Sequence, residues 1–110
     1  MSQQTRRNMR LIVIFDLPTR TRAQRRQYNK FRRFLIVDGY AMCQYSMYTR
    51  IIFGKDAREK HIQRLTLNAP PEGLVEALLI TDTQFAERVF LVGTGSFQEK
   101  TVTSNQITLF

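Results

Sequence analysis

Asp16 is the only acidic residue among the first 37 positions, and it closes the apolar run Leu11-Ile12-Val13-Ile14-Phe15. Directly behind it stand Arg20, Arg22, Arg25, Arg26, Lys30, Arg32 and Arg33. A carboxylate is a hard oxygen ligand of the kind Mg²⁺ takes together with waters and substrate phosphates. Guanidinium groups are matched in charge and shape to phosphate oxygens. An isolated aspartate facing a dense arginine field therefore points to chemistry or binding at a phosphodiester backbone. The plain alternative for Asp16 is a turn starter, since Asp before Leu17-Pro18 commonly opens a loop.

The elements that must position these groups can be read from periodicity. After a polar extension at 1–8, a buried strand is expected from about Arg10 to Phe15, with Asp16 at its C-terminal end. Thr21 and Gln24 have the spacing of a capping box, so a helix is expected to start there. Tyr28, Phe31 and Leu35, joined by Phe34, form its apolar stripe, and the arginines lie mostly off it. Asp38-Gly39 supplies the stop. Two strands are expected over Ala41–Tyr45 and Met47–Phe53, with a bend near Ser46. A second helix capped by Asp56 turns Ile62 and Leu65 inward and ends at Pro70-Pro71-Glu72-Gly73. Leu74–Thr81 reads as a strand covered on both faces, Asp82–Glu87 as a helical turn and Arg88–Val92 as a fifth strand.

Strand-helix-strand-strand-helix-strand is the ferredoxin-like βαββαβ order, here an α+β fold with an additional C-terminal strand. Its sheet is antiparallel with both helices on one face. The domain is expected over 9–93, followed by a tail at 94–110 whose end, Gln106-Ile107-Thr108-Leu109-Phe110, has strand character. A strand with no partner in its own sheet is suited to pairing elsewhere, so Ile107, Leu109 and Phe110 are the candidate partner-binding residues.

At 110 residues the chain suits one domain with one core. Its net charge of +8 is unevenly placed: residues 1–37 carry ten Lys/Arg against one Asp, and residues 38–110 carry seven against eight acids. Clustered cations release condensed counterions when they meet a polyanion, which favours a nucleic-acid partner. Nothing in the pattern reads bases, so binding with little sequence preference is expected. A single cysteine, Cys43, leaves no intramolecular disulfide to form and is expected in the core. No apolar run suits a membrane span or secretory signal, so no membrane partner and a cytoplasmic location are expected. His61 is the only histidine and is expected on the surface, so no histidine acid–base pair exists. Tyr45, Tyr48 and Phe53 are expected to pack in the sheet.

The residues also resemble a known family. Leu11-Ile12-Val13-Ile14-Phe15-Asp16-Leu17-Pro18 looks like the opening of the small CRISPR-associated spacer-acquisition proteins, the Cas-two family. Gly39-Tyr40-Ala41-Met42-Cys43-Gln44-Tyr45-Ser46-Met47-Tyr48-Thr49-Arg50 is similar to that family's second block. Pro70-Pro71-Glu72-Gly73 and Leu91-Val92-Gly93 follow in the same order, and the match is to the longer members beside type II systems. The resemblance implies a ferredoxin-like homodimer in which late strands of one chain extend the other's sheet. It implies double-stranded DNA across that dimer, clasped by Cas-one integrase dimers, and capture of foreign DNA as new spacers. It also implies, for many members, a Mg²⁺-dependent endonuclease acting on RNA or DNA. There the Asp ending strand one is the metal-binding and catalytic residue, and Asp16 matches it.

One carboxylate per chain is few for hydrolysis. A two-fold dimer would bring Asp16 of both chains together if the residue lay near the axis. Two such carboxylates repel unless a cation or proton sits between them. The resemblance places cations just after strand one against the DNA backbone, so Arg20 and Arg22 match best, with Arg25, Arg26 and Lys30 extending the surface along the helix. Arg32 and Arg33 are expected to be a solvated helix face. Two further classes of function stay open at this point. One is a free-standing metal-dependent nuclease of the toxin-ribonuclease kind. The other is an RNA-binding module, although the glycine-aromatic signature of RNA-recognition domains is absent from Tyr48-Thr49-Arg50-Ile51-Ile52-Phe53.

Overall fold

The computed structural model describes residues 8–54 and 56–94. Strand β1 (Asn8–Asp16) leads into helix α1 (Arg22–Val37), the hairpin β2 (Ala41–Gln44) and β3 (Met47–Phe53), helix α2 (Asp56–Asn68), strand β4 (Leu74–Thr81) and the short helix α3 (Asp82–Ala86). The sheet order is β2-β3-β1-β4, and every neighbouring pair is antiparallel. This is the four-stranded ferredoxin-like arrangement expected from the sequence. The expected tail elements and Ile107, Leu109 and Phe110 lie outside the described residues.

Alternation along β1 sorts its side chains between two layers. Leu11, Val13 and Phe15 are buried on the helix side with Phe31 and Leu35 of α1, Tyr48 and Ile52 of β3 and Leu65 of α2. Phe15 anchors this layer: its ring meets Phe31 edge-on at 5.4 Å, Tyr28 at 5.9 Å and Tyr48 in a stacked pair at 5.8 Å. Fully burying side chains of this size stabilises by about 1.5–3 kcal/mol each. On the other face α3 lays Phe85 over Ile12 and Cys43, with Met47 and Ile80 around them.

Three expectations need correction. Among the described residues β4 is an edge strand paired only with β1, and its Leu74 and Leu78 are exposed, so it is not covered on both faces. Its long apolar run reflects a sheet face that the described residues leave largely open. Nor do residues Arg88–Val92 form a strand. Arg88 N donates to the Phe85 carbonyl at 3.2 Å, continuing the turn that ends α3, and Val89, Leu91 and Val92 stand in solvent. Tyr45 and Phe53 are also exposed rather than packed, whereas Tyr48 and Cys43 are buried as expected.

Candidate nucleic-acid interface

Because Phe15 is committed to the core, the next residue must point to the opposite face, and Asp16 is exposed there. It pairs across the ladder with Leu74, and Ile14 lies two residues before it on the same face. The strand end is clamped from two sides. Phe15 N donates to the Ser46 carbonyl at 3.0 Å, with Ser46 itself at φ 64° in the β2–β3 turn. On the other side Gly73, at φ +94°, sits so close that a Cβ there would lie 2.7 Å from the Asp16 carbonyl oxygen. Ser46, whose role was not legible in the sequence, thus fixes the backbone that carries Asp16.

Between Asp16 and α1 the loop is held by helix side chains. Thr21 caps α1: its Oγ1 accepts from Gln24 N at 3.0 Å, and Gln24 Oε1 accepts from Thr21 N at 3.0 Å and from Arg20 N at 2.9 Å. Arg25 turns back, its Nη1 donating to the carbonyls of Thr19 (3.2 Å) and Arg20 (2.9 Å). Arg25 therefore positions the loop that presents Arg20.

The other α1 cations divide by helical position. Arg22, Arg26, Lys30 and Arg33 share the face pointing away from the core residues Phe31 and Leu35, and with Arg25 and Asn29 they line one shallow open surface. Arg32 instead lies beside the Tyr48 hydroxyl. Burial pushes that phenol's pKa up, and the charge and hydrogen bond of Arg32 oppose the shift. No Asp or Glu occurs anywhere in α1, and among the described residues none of Arg20, Arg22, Arg26, Lys30 and Arg33 takes part in an ion pair. Arg22 and Arg25 lie in the first turn, where positive charge opposes the helix dipole at about 0.3–1 kcal/mol each.

Elsewhere the described arginines are engaged. Arg10 Nη2 pairs with Asp82 Oδ1 at 2.7 Å, and its guanidinium also lies 4.5 Å from the Phe85 ring centre. Arg88 covers the same ring at 3.8 Å. Arg50 donates to the Asp38 carbonyl and lies over Tyr40, whose buried hydroxyl is pushed up to about 12, first by desolvation and then by Asp38. Arg64 Nε bonds the Asp38 carboxylate at 3.1 Å, and its Nη2 is 2.9 Å from His61 Nδ1. His61 is therefore buried, not at the surface, because Arg64 brings a donor to its ring. Burial, then Arg50 and Arg64, hold its pKa below the usual histidine range. The pairings of Arg10 with Asp82 and of Arg50 and Arg64 with Asp38 join residues far apart in sequence, and no local pattern announces them. Arg50 is thus a structural clamp.

Among the described residues no three His, Cys, Asp or Glu side chains gather as a metal-binding group. One chain supplies Asp16 alone at the strand end, so a magnesium site needs further oxygens from a second copy, water and a phosphate. Among the same residues, no helix is long and apolar enough to cross a membrane.

The fold and site can now be set beside known proteins. The model of the family described as CRISPR associated protein Cas2 matches residues 9–88. A protein of Acidovorax ebreus named CRISPR-associated endoribonuclease Cas2 is 54% identical over 102 residues, covering 93% of this chain and 100% of that relative. Proteins of the same name from Lacticaseibacillus rhamnosus and Parvibaculum lavamentivorans are 43% and 39% identical, over 78% and 93% of this chain and 85% and 100% of theirs. Kinship that runs through β1, both long helices and β4 leaves one assignment: the chain belongs to the CRISPR-associated Cas2 family.

Proposed function

We propose that this protein is the dimeric, duplex-binding subunit of the complex that adds new spacers to a CRISPR array. The observation that carries the reading is the acid-free cation face of α1 beside the clamped Arg20 loop. Positive charge held without ion-pair partners, partly against a helix dipole, is a stability cost that a polyanion relieves. Arg20 and Arg22 contact the phosphate backbone, Arg26 and Lys30 continue the contact, and Arg25 holds the loop in place. The half-open sheet face with Ile14, Leu74 and Leu78, the free edge of β4 and the exposed Val89, Leu91 and Val92 support a homodimer in which the late segment of one chain extends the other's sheet. Strand joining belongs to the Cas-one integrase, and this subunit sets the distance between its active sites. Ile107, Leu109 and Phe110 remain the segment proposed for pairing with the dimer mate or the integrase.

A second reading, a metal-dependent endonuclease, draws on the name of the relatives and on the exposed Asp16 carboxylate. Here two Asp16 carboxylates at the two-fold axis hold a divalent cation, possible only if the dimer brings them together. When bound, that ion would supply positive charge for an attacking water and the phosphate. A spacer-acquisition assay separates the readings. The bridging role expects Arg20→Gln/Arg22→Gln to abolish acquisition while Asp16→Ala retains it; loss with Asp16→Ala and retention with the arginine pair would reverse the assignment.

A further inference from the structure

Tyr45, expected to pack in the sheet, is instead 76% exposed at the tip of the β2–β3 hairpin. The loop there has only two residues, Tyr45 and Ser46, between Gln44 and Met47. Loops of this length favour Asn, Asp and Gly, which enter the left-handed region easily. Here Ser46 takes the left-handed φ of 64°, and the residue beside it is a large aromatic. The turn is nonetheless pinned, because the Ser46 carbonyl accepts from Phe15 N at 3.0 Å. A pinned turn that departs from ordinary turn chemistry and holds a ring in solvent is the kind of feature that clusters at ligand sites. We propose that Tyr45 is a stacking platform for an unpaired nucleobase, on a strand whose phosphate backbone passes Asp16. This rests on the nucleic-acid reading above and adds to it a contact with a base, which the α1 cations do not make.

Antiparallel register gives the placement. Ile14 pairs with Met47, and the bond from Phe15 N to Ser46 carries the contact one residue further. Asp16 and Tyr45 are the next residues in the same direction, so both leave the sheet at one end. With strands about 4.8 Å apart, their Cα atoms lie about 5–10 Å from each other. The loop that presents Arg20 departs from this same end of β1. Phe53, the other strongly exposed aromatic among the described residues, ends β3 opposite Asn8, at the far end of the sheet. Tyr45 is therefore the exposed ring that shares an end with the carboxylate and the clamped cation loop.

The chemistry selects the ligand class. Bases inside a duplex stack on one another, whereas an unpaired segment or strand end offers their faces to a protein ring. An aromatic side chain takes such a face whatever the base, because every base has one. A protein partner would instead cover a contiguous apolar patch. Tyr45 is a single ring between the exposed Gln44 and the half-buried Ser46, both polar. One amphipathic ring on a pinned turn beside phosphate-directed groups suits a base on an unpaired strand.

The test uses the intact protein and two labelled DNA duplexes of equal paired length. One is blunt, and the other has an unpaired tail carrying 2-aminopurine, whose fluorescence falls when it stacks. Tyr45→Ala is expected to weaken binding of the tailed duplex about five-fold or more, the low end of what one stacked base contributes, and to abolish the quench. Binding of the blunt duplex stays at the parental level. Tyr45→Phe keeps the ring and retains both signals, whereas Tyr45→Leu keeps the bulk without the ring and matches Tyr45→Ala. A tail of RNA behaves as the DNA tail does, since a ring face does not read the sugar. No quench in the parent, a quench that persists in Tyr45→Ala and Tyr45→Leu, equal weakening of blunt and tailed duplexes in both, or a loss confined to one sugar overturns the platform. In each of those cases salt-sensitive binding of the blunt duplex, lowered by Arg20→Gln/Arg22→Gln, leaves the duplex-binding reading standing. A parent protein that binds neither duplex overturns both.

Discussion

Gly73→Ala is a test of how tightly the Asp16 strand end is held. At φ +94° an L-residue pays the left-handed conformational penalty, about 1–2 kcal/mol. The new methyl also meets the Asp16 carbonyl oxygen at 2.7 Å, Leu17 Cδ2 at 2.8 Å and Leu17 Cα at 3.1 Å. Two of those atoms are backbone, so β1 must yield by about 0.7 Å at the carbonyl to restore ordinary contact. Overpacking of this kind costs about 1–3 kcal/mol. Together the two effects come to about 2–5 kcal/mol, a large share of a small domain's typical stability. Gly93→Ala is the matched control: its φ is +91°, but none of the described residues lies within 4 Å of the added methyl. It bears the conformational cost alone, so the difference between the variants isolates the clash at about 1–3 kcal/mol. Urea unfolding, with slopes of about 1–3 kcal/mol per molar, reads that difference as a clearly lower midpoint for Gly73→Ala. Equal midpoints would show that the β1 end is not clamped, and the argument that Asp16 is held in a fixed position would fail.

Phe85→Ala is expected to cost about 3–5 kcal/mol, because it removes the ring held between Arg10 and Arg88 and uncovers Ile12 and Cys43. Faster modification of Cys43 by a thiol reagent should accompany the lower unfolding midpoint. Thr21→Ala removes the α1 cap and should cost about 1 kcal/mol in the same unfolding assay. His61 gives a pH dependence: its folded pKa is depressed, so below the ordinary value near 6.5 the unfolded chain takes up the proton first. Its contribution is therefore complete above that pH and declines as pH falls towards the folded-state pKa. His61→Gln should flatten this part of the stability–pH curve, and an unchanged curve would place the titration elsewhere.

What could be read in the sequence was what local physics decides. The capping box at Thr21 and Gln24, the stripe of Phe31 and Leu35, and the place of Asp16 at the end of an apolar strand depend on neighbours a few residues away. Parity also indicates that Asp16 faces away from Phe15. What stayed hidden depends on which partner each side chain meets once the chain is folded. Spacing does not distinguish Arg25, folded back on Thr19 and Arg20, from Arg26 on the open face. The burial of His61 needs Arg64 and, through it, Asp38 from the end of another helix. Arg88–Val92 has the composition of a strand, but strand formation requires an edge to pair with, which composition cannot supply.

The most direct test of the central claim uses a labelled DNA duplex with the purified protein and its Asp16→Ala variant, with and without Mg²⁺, following binding and cleavage in the same samples. The account expects duplex binding that weakens steeply with salt, equally in both proteins, and no cleavage in either. Metal-dependent cleavage that disappears with Asp16→Ala would contradict it and make the Asp16 pair, rather than the α1 cations, the centre of this protein's activity.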